Sequence, residues 1–553
     1  MHAQTDLGQG RAGDLLYVHH APDPINTRTG NFFLPLQDYY LSCYAFPLEV
    51  YRSYNSFSTR NGPFGDKWTF NYDVQIIVGQ SRTLKVIESD GFENEYVPIE
   101  GQGQSKAEAI ATIVQKRKQE DITYSKNPQG KGDAFYTALQ KRLMTDDAYF
   151  EKQKQRYVVA SAVSTSGKYV SNARGTSYLT QTGNGFIREN DNGWKETYNA
   201  KGYLTRIEDR NGNYLNFGYD AKSRLARISD ACSHSLFLTY NAFDKIASIR
   251  DSFQRKIEYT YDKNLRLISF KGLDQQTMRY EYDANGWMTN VQFEDGTSTA
   301  IGYAQNGQVV SQIGPGKKRS TFSYKSKGPV DITTITNNGE TQTYAYNDAE
   351  GSIVHTDANG VRTTTVLSAC CGKPISIQST NGIDDVFEYD AKGRLLSRTN
   401  AKGQTTTFAY EPRFGSISTI EQPDGQVIRY RYDANANIIF AQISQSDTQK
   451  ASRKGLTKRN VKIDYEAHGK MKKIQDQAGN VIYFTYSDMG KVASIDKHVR
   501  GKSTAKILYT YDPLGQTDQI RLYPNQPTTP TEIKTTLLGY MELLAPAGID
   551  FEL

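Results

Sequence analysis

The sequence predicts an all-β protein: a spiralling sheet of short β-hairpins, forming a partial or complete shell, with a small α-helical insertion. Three observations predict it. The first is composition, with only 37% hydrophobic residues but 38 Tyr and 45 Gly in 553 residues. Tyrosine buries a ring while its hydroxyl stays hydrogen-bonded, which suits half-buried strands, and glycine suits tight turns. The second is a fixed period, and the third is the turn chemistry inside each period. A chain of this length exceeds one ordinary core, so it must be several domains or a repeat array.

The period is carried by tyrosine. Tyr198-Asn199, Tyr219-Asp220, Tyr240-Asn241, Tyr261-Asp262, Tyr282-Asp283, Tyr303 and Tyr324 stand 21 residues apart. The ladder continues through Tyr346-Asn347, a slot at Ser368, Tyr389-Asp390, Tyr410-Glu411 and Tyr432-Asp433, then resumes at Tyr465-Glu466, Tyr486-Ser487 and Tyr511-Asp512. Within one unit a strand ends at Tyr389, Asp390 opens a turn, and Gly393 supplies a positive φ. A second strand follows, then a second turn at Asn400-Ala401-Lys402-Gly403 and an alternating strand from Thr405 to Tyr410. Each repeat is therefore a β-hairpin. Roughly thirty strands at about 4.8 Å make a ribbon about 145 Å wide, which must curl. The recurring tyrosines are expected to be packing residues rather than a ligand platform.

These Tyr-Asp-x-x-Gly-x-Leu units resemble the YD repeats of bacterial Rhs proteins, toxin-complex shells and teneurins. Asp23-Pro24-Ile25-Asn26, Thr29-Gly30-Asn31-Phe32, Tyr51-Arg52-Ser53-Tyr54-Asn55-Ser56 and Gly62-Pro63-Phe64-Gly65, with Trp68 and Tyr72-Asp73, resemble the N-terminal domain of bacterial Rhs proteins. Glu208-Asp209-Arg210-Asn211-Gly212-Asn213 resembles the passage into the first full repeats. The resemblance implies a hollow shell, often enclosing a toxin. Fewer than forty residues follow Tyr511-Asp512-Pro513-Leu514-Gly515, and no Asp-Pro-x-Gly-Leu boundary motif is seen. The expectation is an open or partial shell without self-proteolysis or its own toxin domain.

The domain reading follows: 1–100 as the first part of the Rhs-type N-terminal domain, 101–155 as a helical insertion, and 156–197 as that domain's second part. The YD array spans 198–520, and 521–553 is a tail. In the insertion, Ser105-Lys106-Ala107-Glu108 fits a capping box. Ala107, Ile110, Ala111 and Val114, then Phe135, Leu139 and Leu143, follow helical spacing. These helices are expected to cap a sheet edge, with partner docking as the alternative. The segment 450–459 is read as a solvated basic loop, with Lys450, Arg453, Lys454, Lys458 and Arg459 as candidate polyanion contacts.

No catalytic constellation stands out. The seven histidines show no zinc-ligand spacing, and no metal or cofactor is expected. Gly501-Lys502-Ser503-Thr504 has Asp496 where a phosphate loop needs its first glycine. Asp209-Arg210-Asn211-Gly212 places glycine fourth, whereas an EF-hand loop needs it sixth, so such acids read as turn-formers. Cys370 and Cys371 fall in a turn and are the candidate redox or cross-linking pair. Cys43 and Cys232 are expected to be small buried hydrophobes.

The expected function is a non-enzymatic scaffold of an Rhs-like, toxin-associated bacterial system, secreted or at the cell surface. Its partners would be an enclosed polypeptide or a subunit completing the shell. A surface adhesin that binds glycans is the alternative. The charge of +6 argues for no sequence-specific nucleic-acid partner, and no apolar run of membrane-spanning length or N-terminal signal segment is visible.

Overall fold

A computed structural model describes residues 25–549 except 79–83, 90–91, 100–105, 126–128, 158–166, 172, 174–175, 191–192, 369–371, 446–457, 525 and 527. The hairpins form as their turn residues dictate. Asp262 Oδ1 accepts the backbone N–H groups of Asn264 and Arg266, both at 2.9 Å, while Arg266 Nε returns to Asp262 Oδ2 at 2.7 Å. Asp220 with Arg224 and Asp390 with Arg394 repeat the arrangement. The carboxylate thus satisfies donors that the turn would otherwise leave to water. Gly393 takes the left-handed position at φ 74°, but the earlier units place Ser223, Asp244 and Leu265 there at φ 62°, 58° and 61°. Each of those non-glycine residues costs about 1 kcal/mol, which the clasped turn outweighs.

One residue before most of these tyrosines, though not before Tyr324 or Tyr346, the pairing register shifts, as between Thr260 and Tyr261 and between Glu388 and Tyr389. Such bulges increase local twist and bend the strand, so the ribbon curls in small, repeated steps. The tyrosine hydroxyls then join unit to unit. Tyr219, Tyr240, Tyr261 and Tyr282 donate to the carbonyls of Leu204, Leu225, Ile246 and Leu267, each fifteen residues earlier, at 2.6–2.7 Å. Tyr303, Tyr324, Tyr389, Tyr410 and Tyr486 do the same onto Met288, Val309, Pro374, Leu395 and Met471. The tyrosines are packing residues with a polar tie.

Strand pairing is sequential and antiparallel from Gln75–Val78 to Thr517–Tyr523, and the sheet closes on itself through a bridge between Gln75 and Tyr203. Beyond that closure the ribbon keeps winding. Asn211 and Asn437 exchange side-chain amide bonds, Asn213 Nδ2 donates to the His468 carbonyl at 3.1 Å, and the Arg210 guanidinium lies 4.8 Å from the Phe414 ring. Asn211 belongs to a second-type turn and Asn437 to a Tyr-Asp turn, which line opposite edges of the ribbon. Contact between opposite edges is what a ribbon makes when it spirals onto itself.

One face of this sheet is covered in two places. Residues 25–73 form an inner layer with strands Phe33–Leu41, Leu48–Asn55 and Trp68–Phe70. Phe32, Tyr54, Phe64, Trp68 and Phe70 share a core with array residues as far as Ile353. Polar ties fix the layer: Arg52 Nη2 donates to Tyr280 Oη at 2.7 Å, Trp68 Nε1 to Tyr282 Oη at 3.0 Å, and Thr27 Oγ1 meets Tyr346 Oη at 2.6 Å. A Cβ on Gly30 (φ 72°) would lie 2.8 Å from the Tyr324 ring, so only glycine fits this approach.

The second cover corrects the sequence reading of 521–553 as a tail. A helix spans Thr528–Leu544, and Ile533, Leu537, Tyr540 and Leu544 are buried against Ile420, Ile428, Ile463 and Ile482 of the array. Their 4-3-4 spacing is an amphipathic stripe.

The helical insertion is present as α1 (Lys106–Ser125), α2 (Asp133–Thr145) and α3 (Asp147–Arg156). Its buried face is rotated from the one expected: Ala109, Ile110, Ile113 and Leu143 are buried, whereas Ala107 and Ala111 are exposed. Ser105 of the expected cap lies outside the described residues. Arg117 Nη1 reaches Asp348 at 3.2 Å and Arg142 Nη1 reaches the Ala349 carbonyl at 3.5 Å, so the helices sit on a Tyr-Asp turn edge. The contact is with a row of hairpin turns rather than with the unpaired backbone of an edge strand.

Candidate functional site: the uncovered face of the sheet

Between the two covers lies a stretch of the same face that nothing described covers. Directly opposed residues of antiparallel strands share a face, so the row can be followed by register. Tyr346 opposes Ile353, Ile353 opposes Thr365, Thr365 opposes Ile377, and Ile377 opposes Asp385. Two residues on, Phe387 opposes Arg398, Arg398 opposes Thr406, and after Phe408 the row runs through Ile420 to Ile428. Tyr346 belongs to the N-terminal core and Ile428 to the C-terminal one. Ile377, Phe387, Thr406 and Phe408 between them are only half-buried.

Arg398 gives this stretch its chemistry. The same register slot holds Ile228, Ile249, Phe270 and Val291 in earlier repeats, and Ile420 and Ile474 in later ones. Arg398 is 54% exposed, pairs with Asp385 at 2.9 Å, and lies 5.9 Å from the Phe387 ring. Half-buried Ile377 and Phe387, the Thr406 hydroxyl and one ion pair make an amphipathic strip that ends where Phe408 packs against the C-terminal core. It can hold extended or partly folded polypeptide through apolar area and hydrogen bonds without demanding a sequence. The sequence analysis missed it, although aligning the repeats shows one charged residue in a slot that is apolar in most units and holds Gln312 in one.

The sequence-derived candidates fall elsewhere. Cys370 and Cys371 lie outside the described residues, as do Lys450, Arg453 and Lys454. Lys458 is exposed, and Arg459 is paired with Glu542 of the C-terminal helix. Gly501 sits at a hairpin turn, and Ser503 Oγ donates to Asp496 Oδ1 at 2.6 Å, so that segment is a strand connection. Asp209 Oδ1 accepts the N–H groups of Asn211 and Asn213 at 2.9 Å, as a turn-former should.

Cys43 and Cys232 correct an expectation: they are joined in a disulfide, with Cα atoms 5.9 Å apart, across a sequence separation of 189. The loop carrying Cys43 also stacks Tyr44 on His468 at 3.9 Å, and Ser42 Oγ donates to the Met489 carbonyl at 3.3 Å. It thus fills the seam between successive coils, where it meets the 230–234 turn. Asp230 lies within 4.8 Å of both sulfurs, but the disulfide uses both thiols and leaves no thiolate ligand.

Comparison with known proteins agrees with this architecture. Residues 389–415 match the RHS repeat family and residues 22–96 a domain of unknown function, DUF6531. The unit matched at 389–415 is one turn of a ladder that recurs along the array. Over 214 residues it is 24% identical to double-stranded DNA deaminase toxin A of Burkholderia cenocepacia (strain H111), covering 37% of this chain and 15% of that protein. The chain therefore spans a small part of that relative's length. Among solved structures, the TcdB2-TccC3-TEV complex aligns with 91% of this chain and 28% of its own, at 12% identity and TM-score 0.46. The Tc holotoxin pore of Photorhabdus luminescens aligns with 89% and 30%, at 10% identity and TM-score 0.39. Among the described residues, no helix is long and apolar enough to cross a membrane.

Proposed function

We propose that this chain is a non-enzymatic shell of a bacterial Rhs-like system, secreted or displayed at the cell surface, that holds polypeptide cargo against its inner face. The observation that carries this reading is the half-buried row from Ile377 to Thr406, flanked on the same face by buried Thr365 and by Phe408, which packs against the C-terminal core. Winding turns that face inward, and an apolar strip with one ion pair suits an unfolded or extended guest. The Cys43–Cys232 disulfide supports an oxidising compartment. A partner subunit that completes the shell fits the same reading.

The test is native mass spectrometry of protein purified from its own source, before and after protease treatment. A co-purifying polypeptide that survives protease supports the shell. A bare chain of 62.2 kDa overturns it.

A further inference from the structure

Asp220, Asp251, Asp262 and Asp390 are each clasped by an arginine four residues on. The turn at 230–234 departs from this. There His234 Nδ1 stands 3.0 Å from Asp230 Oδ2, and the Asp230 side chain is fully buried. Asp230 Oδ1 accepts the backbone N–H groups of Cys232 at 3.0 Å and His234 at 2.8 Å. Arginine brings a permanent charge to such a carboxylate, whereas imidazole brings one only when protonated. A buried carboxylate without a fixed counter-charge favours a cation beside it.

Two sulfurs lie next to this carboxylate. Cys43 Sγ, Cys232 Sγ and an Asp230 oxygen fall within 4.8 Å of one another, the one such trio among the described residues. Cys43 and Asp230 are buried and Cys232 is half-buried, so the trio is walled by protein yet reachable from one side. The disulfide takes up both sulfurs, but a chain made in a reducing compartment carries them as thiols. Two unbonded sulfurs rest about 3.7 Å apart, and tetrahedral zinc, with bonds of about 2.3 Å, sets its sulfurs about 3.8 Å apart. With Cα atoms 5.9 Å apart, rotation of the side chains reaches that spacing. Paired thiolates select zinc over the hard cations that prefer oxygen alone.

We propose that Cys43, Cys232 and Asp230 form a zinc site when the disulfide is reduced, so that residues 25–73 are held to the array by a metal in the reduced chain and by a disulfide in the oxidised one. A dithiol reductant opens the Cys43–Cys232 bond by exchange and leaves as its own disulfide, giving two protein thiols. Zinc then takes both sulfurs as thiolates, and their two protons pass to water. His234 stays on the Asp230 carboxylate and fixes its orientation, and water fills the fourth position. The site is independent of the cargo-holding face.

Cobalt(II) is the probe, on the full chain carrying Cys370→Ser and Cys371→Ser so that no other thiols remain. After reduction with a phosphine in the absence of air, cobalt should give a sulfur-to-metal charge-transfer band and the visible bands of a tetrahedral ion. Zinc should bleach both. Cys43→Ser and Asp230→Asn should each weaken binding at least about tenfold. No charge-transfer band in the reduced chain overturns the proposal. So does undiminished affinity in either variant, or an equal band in the oxidised chain. Should a variant fail to fold, comparison of the reduced and oxidised forms decides with the site unsubstituted.

Discussion

Asn211 and Asn437, 226 residues apart, donate an amide N–H to each other's carbonyl oxygen, at 3.2 and 2.9 Å. The pair marks one full coil of the ribbon. From Tyr214–Tyr219 to Gln426–Tyr432 the strands run consecutively. At about 4.8 Å for each of roughly twenty strands the circumference is about 100 Å and the diameter about 30 Å. Asn437→Ala removes both bonds and is expected to cost about 1–2 kcal/mol. Hydrogen exchange should quicken in the turns at 209–213 and 466–469 and stay unchanged at 262–266, which lies away from the seam. Equal change at all three turns would show that the pair is not a coil contact.

The Cys43–Cys232 bond staples the same seam. Reduction, or Cys43→Ser with Cys232→Ser, should cost about 2–4 kcal/mol. Thermal melts with and without a thiol reductant measure it, and the double variant should no longer respond to reductant.

The repeat tie can be tested one hydroxyl at a time. Tyr261→Phe keeps the ring and frees the Ile246 carbonyl, at an expected cost of about 1 kcal/mol by denaturant unfolding. The far-ultraviolet spectrum should not change, since no strand depends on that hydroxyl alone.

Acid should weaken the turns. Burial raises the Asp262 carboxyl, but the Arg266 and Asn264 N–H groups and the Arg266 guanidinium outweigh it and hold its pKa below the ordinary value. Asp220 and Asp390 are lowered in the same way. A pKa lower in the folded state gives stability that is present above the unfolded value, about 3.9, and lost as pH falls through the folded one. Buried Asp38, Asp73 and Asp230 are raised and run the other way. The informative comparison is therefore between variants: the melting temperature of Asp262→Asn should fall less steeply below about pH 4 than that of the parent chain.

Replacing Arg398 with isoleucine gives the residue that most other repeats carry in this slot. Arg398→Ile should change stability by no more than about 0.5 kcal/mol, because the side chain is half-exposed. Retention of a protease-resistant polypeptide should nevertheless change, as the strip loses its ion pair. Unaltered retention would place the guest elsewhere.

The hairpins were legible because their determinants are local: Asp262, Gly393 and Tyr389 recur at fixed distance and act within one unit. The Thr528–Leu544 helix was equally legible in the spacing of Ile533, Leu537, Tyr540 and Leu544 and was simply read past. The disulfide was not, since Cys43 and Cys232 meet only after the ribbon has folded. Nor was the seam, because Asn211 and Asn437 are ordinary turn residues whose partnership depends on how far the bulges bend the whole ribbon. Arg398 stood between these cases, silent alone and conspicuous once repeats are aligned.

Among the described residues from Tyr219 onward, the tie of a ladder tyrosine to the strand before it is replaced at one place. Tyr346 spends its hydroxyl on Thr27, and the next slot holds Ser368, whose side chain is too short to span the neighbouring strand. The next tie in chain order is that of Tyr389 onto Pro374, and between Leu367, packed on the N-terminal core, and Phe408, packed on the C-terminal one, no residue joins either core. In a quasi-linear array, where each unit leans on its neighbours, rupture begins at the weakest junction. Pulled from its ends, this molecule should part first near residue 368, one fragment keeping residues 25–73 and the other its terminal helix.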